Sequence, residues 1–78
     1  MRTIEFEGVT VEYDERCTKS YKWQKSVMSG DMSRGMKAIE SLFAGRDEEY
    51  AEQLGDDADK MQQLIAACME DMGRAEKN

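Results

Sequence analysis

Residues 56–72, DDADKMQQLIAACMEDM, decide the architecture. Met61, Leu64, Ile65, Cys68 and Met72 recur at steps of three and four, so a helix of 3.6 residues per turn gathers them into one stripe. Such a stripe needs a covering surface, and burying one Leu, Ile or Met side chain is worth about 1.5–3 kcal/mol. Gly55 and Gly73 bracket the segment, and Asp56 or Asp57 offers a carboxylate to the first free backbone N–H groups. A closing helix is therefore expected over residues 56–72, with residues 74–78 fraying beyond it.

The cover for that stripe has to come from the rest of the chain. Thr3 to Glu7 and Val9 to Tyr13 alternate apolar and polar residues around Gly8. A tight turn at Glu7-Gly8 pairs Phe6 with Val9 and Ile4 with Val11, all on one face of a hairpin spanning residues 3–13. Thr3, Glu5, Glu7, Thr10 and Glu12 then point to water, and the apolar face must lie on the helices, because a lone hairpin is marginal.

Three shorter helices are expected between the hairpin and the closing helix. Asp14 is the expected cap of the first, which runs to about Met28 with Gly30 as its stop. Cys17, Tyr21, Gln24, Val27 and Met28 share its apolar arc, Lys19, Lys22 and Lys25 its back, and Trp23 the margin. Asp31 or Ser33 caps a second helix through Phe43, with Met32, Met36, Ile39, Leu42 and Phe43 facing inward and Gly45 closing it. Asp47, Glu48 and Glu49 complement the dipole at the start of a third, whose buried side is Tyr50, Ala51 and Leu54. The expected fold is mainly α with an N-terminal β-hairpin, in the order ββαααα. It is a small single-domain helical bundle over residues 1–78, with its helical part at 14–73.

The chain has 78 residues, 11 Lys and Arg against 17 Asp and Glu, and a net charge of −6. Residues 1–30 are balanced, so the whole excess lies in residues 31–78. An acidic second half argues against nucleic acid as a partner, since phosphate binding needs a concentrated basic surface. Charges interrupt every apolar run before a membrane-spanning length, and no membrane partner is expected. Cys17 and Cys68 lack metal-ligand spacing, and no histidine exists to complete a zinc set or activate a thiol. Packed, reduced thiols are expected, in a cytoplasmic setting, with no cofactor or metal.

Two surfaces are candidates for function. Asp47, Glu48, Glu49, Glu52, Asp56, Asp57 and Asp59 form a run without a cation among them. These carboxylates suit helix caps and a solvated face, or an acidic docking surface, but not a calcium loop, whose glycine and distal glutamate are missing. Nor do cap and outer-face positions supply the shifted pKa that acid–base catalysis requires, so an enzyme is not expected. The second surface is apolar. Met28, Met32, Met36, Met61 and Met72 fall on apolar faces as flexible filler, while Met69 flanks the main stripe. Methionine also re-packs against variable helices, so Trp23, Val27, Met28, Met32, Met36 and Met69 are the candidate partner-binding residues.

The order of elements resembles a family. A leading Ile4-Glu5-Phe6-Glu7-Gly8-Val9-Thr10-Val11-Glu12-Tyr13-Asp14-Glu15, a Trp-bearing helix, then Leu42-Phe43-Ala44-Gly45 and a terminal helix are similar to the small tail assembly chaperones of long-tailed bacteriophages and prophages. The resemblance implies a non-enzymatic protein of the bacterial host cytoplasm that coats a long helical tape-measure protein before tail tube polymerisation, with self-association. Two other readings stand beside it. One is an acidic phage-encoded inhibitor competing with nucleic acid for a host protein, the other a small structural subunit of a viral particle.

Overall fold

The computed structural model describes residues 1–77, and side chains through residue 74. Strands β1 (Arg2–Phe6) and β2 (Val9–Tyr13) are followed by a 3-10 turn at Cys17–Lys19. Helices α1 (Tyr21–Met28), α2 (Met32–Leu42), α3 (Asp47–Gln53) and α4 (Ala58–Lys77) complete the chain. It is mainly helical, with an N-terminal antiparallel hairpin.

The hairpin register is the expected one, with Ile4 opposite Val11 and Phe6 opposite Val9. Glu7 and Gly8 both have positive φ, 49° and 83°, as a tight hairpin turn requires. Val9, Val11 and Tyr13 are buried, while Thr3, Glu5, Glu7, Thr10 and Glu12 are exposed. The buried face sits on a core completed by Leu42, Phe43, Tyr50, Leu64 and Cys68. Phe43 and Tyr50 meet edge to face at 5.7 Å, a geometry favoured by the ring quadrupoles.

Polar contacts lock this side. Tyr13 is fully buried and donates its hydroxyl to Asp71 Oδ2 at 2.7 Å, and Arg2 Nε donates to the same oxygen at 2.8 Å. The hairpin is thereby tied to α4 across 69 positions of sequence. At the other sheet edge the Glu12 N–H donates to the Tyr50 hydroxyl at 3.1 Å, and the Asp14 N–H to the Leu42 carbonyl at 2.8 Å.

Four expectations need correction. The first helix starts at Tyr21, because Ser20 rather than Asp14 accepts from its first turn, at Trp23 N. Asp14 instead accepts from the N–H and guanidinium of Arg16 and leads into the 3-10 turn. That shortened helix buries none of its residues, so the expected apolar arc is not a core face: Tyr21, Val27 and Met28 are all exposed. On α2 the inward set begins late. Ala38, Leu42 and Phe43 are buried, but Met32 and Met36, expected inward, are 84 % and 52 % exposed.

Finally, α4 runs through Gly73 to Lys77 instead of ending there, so the tail expected to fray is helical through Lys77. Asn78 lies outside the described residues. A glycine ends a helix by adopting positive φ, and Gly73, unlike Gly55, does not do so. The caps at Asp31 and Asp57 are as expected, accepting from Arg34 N and from Asp59 N.

Candidate functional site

The stripe on α4 is wider than the surface that covers it. At 100° per residue Leu64 and Cys68 occupy one flank and Ile65 and Met69 the other. Leu64 and Cys68 are fully buried under the hairpin and α3, whereas Ile65 and Met69 are only partly covered. Across from them stands α2, with Ile39 facing Ile65. Between the two helices runs an apolar groove made of two joined hollows.

One hollow, about 360 Å³, is walled by Trp23, Val27, Ile39, Leu42, Ile65 and Met69. The other, about 320 Å³, shares Ile39 and Ile65 and continues over Met36, Ala51, Ala58 and Met61 to Glu40, Asp47 and Glu48. A side branch of about 300 Å³ passes Ile39 to Met32 and Gly35. Ile39 lies at the junction of all three.

Trp23 forms a fixed wall. Its indole N–H donates to the Ala38 carbonyl at 2.8 Å, which pins α1 to α2 and leaves the ring half-buried at the groove. Of the six candidate partner-binding residues, Trp23, Val27 and Met69 line the first hollow, Met36 the second, and Met32 the branch. Met28 is 77 % exposed at the end of α1, outside the groove lining. Sequence reasoning missed Ile39 and Ile65 as groove residues, having assigned both to the core. The signal for Ile65 was the width of the α4 stripe.

The acidic run does not assemble into one surface. Asp47 is buried, at 9 % exposure. Glu49 accepts from Arg46 Nε at 2.9 Å, and that hydrogen bond holds its carboxyl below the usual range. Asp57 is spent on capping α4. Glu48, Glu52, Asp56 and Asp59 remain exposed, distributed over α3, the following turn and α4. Arg46 also stacks over the Tyr50 ring at 5.2 Å.

A wider depression of about 430 Å³ lies on the other side of α2, bordered by Lys22, Arg34 and Lys37 with Ser20, Ser26 and Ser41. It gathers the basic side of α1 and α2 away from the apolar groove.

Nucleophile chemistry finds little support in the thiols. Burial pushes Cys68 up to about 12 and Cys17 up to about 11, so both are protonated near neutrality. Among the described residues no three Cys, Asp or Glu side chains are grouped to hold a metal ion. No described helix is long and apolar enough to cross a membrane. What the arrangement can do is receive an apolar ridge along the α2–α4 groove. Compared with known protein families, curated proteins and solved structures, the chain matches none.

Proposed function

We propose that this chain is a non-enzymatic binding module that takes an amphipathic helix of another protein into the α2–α4 groove. The observation that carries this reading is the continuous apolar lining from Trp23 and Met69 through Ile39 and Ile65 to Met36 and Met61, left uncovered by the chain itself. A helix-in-groove contact buries residues at i, i+3 or i+4, and i+7 of the incoming helix, and methionine walls adapt to different side chains at those positions.

With the resemblance drawn from the sequence, the partner is a tape-measure-like helical protein and the chain a tail assembly chaperone of a phage or prophage. It acts in the bacterial cytoplasm. Weak, repeated sites suit that task, since many copies along one rod protect it without any single contact being tight. The acidic-inhibitor reading gains nothing comparable, because Asp47 is buried and Glu49 is already paired.

Co-expression with a tape-measure protein of a long-tailed phage tests the proposal. The expected result is a soluble complex that Ile39→Glu abolishes. A tape-measure protein that stays insoluble, or is equally soluble without this chain, overturns it.

A further inference from the structure

We infer that the groove reads the direction of its helix, holding it with a basic N-terminal turn at the Ala58 end. This rests on the helix-binding reading above and adds the chemistry and orientation of the partner.

The groove is electrically lopsided. Its axis follows α4 from Ala58 to Met69, about 16 Å or three turns of an incoming helix. At the Ala58 end the lining includes the carboxylates of Glu40, Asp47 and Glu48. At the Met69 end it is Trp23, Val27 and Leu42, with no charged side chain. Neither hollow is lined by a lysine or arginine. Glu40 and Glu48 are exposed, and among the described residues neither is paired with a cation. Lys22, Arg34 and Lys37 stand on the far side of α2, and the two cations nearest in sequence to the acidic end, Arg46 and Lys60, are bonded to Glu49 and Glu7.

A helix brings about half a positive charge and its unpaired N–H groups at the N-terminus. Lysine or arginine in that first turn, ordinarily unfavourable beside the dipole, is neutralised where Glu40 and Glu48 wait. A helix entering the other way sets its negative end against the same carboxylates. Charge complementarity therefore selects a helix of another protein with an apolar ridge and a basic start. The chain's own α1 fits less well: it has eight residues, shorter than the groove, and its Trp23 is bonded within its own fold.

Trp23 is the sole tryptophan and lines the groove, so its emission reports occupancy. Two end-blocked amphipathic peptides of about four turns share one apolar ridge, one with lysines in its first turn, the other with them in its last. The lysine-first peptide is expected to bind about threefold to tenfold tighter at low salt, with the gap closing as salt rises. The double variant Glu40→Lys, Glu48→Lys changes exposed positions and is expected to invert the order, its fold checked by circular dichroism.

Equal affinities overturn the orientation while leaving helix binding intact. Binding of neither peptide overturns both. A Trp23 shift that depends on protein concentration without peptide puts a second copy in the groove and overturns the choice of occupant.

Discussion

The two flanks of α4 carry the same kinds of side chain and have different surroundings. Leu64 and Cys68 are sealed by β2, α3 and the end of α2, and the polar contacts around them are completed by Asp71, Tyr13 and Arg2. Ile65, Met69 and Met61 meet a gap, beyond which Met36 and Met32 extend into water. One flank is a closed core. The other is half of an interface. The difference teaches that an amphipathic pattern names the face that wants cover, while tertiary structure decides whether the chain supplies it.

The largest break in this comparison comes from its sealed side. Leu64→Ala removes a fully buried side chain and leaves a cavity in the core. It is expected to cost about 2–5 kcal/mol in urea unfolding, a large share of the stability of a domain this small. A cost below that of an exposed methionine would erase the distinction between the flanks.

A smaller effect comes from the polar lock. The Arg2 guanidinium bond, then the Tyr13 hydroxyl, hold the Asp71 carboxyl below its ordinary value of 3.8. A carboxylate whose folded pKa is depressed contributes stability that is fully present above its unfolded value. The contribution fades as pH falls through the folded value. Asp71→Asn is expected to cost about 1–3 kcal/mol at neutral pH, because it disturbs the bond of a buried phenol. The gap between wild type and variant should then narrow as pH falls below 3.8, the ordinary carboxylate value. Urea melts at neutral pH and at pH 3 measure it; a gap that does not change with pH would separate Asp71 from the lock.

How far this arrangement can be read from sequence follows from the range of each signal. Glu7-Gly8 and the alternation beside it are local, and they give the hairpin register residue for residue. The spacing in residues 61–72 likewise names the stripe of α4. Local signals fail where two compete: Asp14 and Ser20 both suit a helix start, and only packing chooses Ser20. Periodicity put Met32 and Met36 in phase with Ile39 and Leu42, but phase says nothing of how far along an axis the cover extends. The core reaches only the C-terminal half of α2. The Arg2–Asp71 pair, 69 positions apart, has no local signature at all. The groove was half legible, in the methionines and Trp23, and half hidden, in the two isoleucines that join its hollows.

The smallest expected change in stability is also the sharpest test of what the open flank is for. Met32 and Met28 are 84 % and 77 % exposed, so Met32→Gln and Met28→Gln remove little area that folding takes from water. Each is expected to change the unfolding free energy measured in urea by no more than about 0.5 kcal/mol, the range of ordinary surface changes. Were the methionines core filler, as their spacing alone allows, each would cost several times more. Binding separates the two positions again. Met32 borders the branch of the groove beside Ile39, while Met28 lies outside its lining. Met32→Gln should therefore weaken the Trp23-detected binding of an amphipathic peptide, and Met28→Gln should leave it nearly unchanged. Equal losses at the two positions would mean that the bound helix extends over the end of α1 and that the groove is only part of the contact.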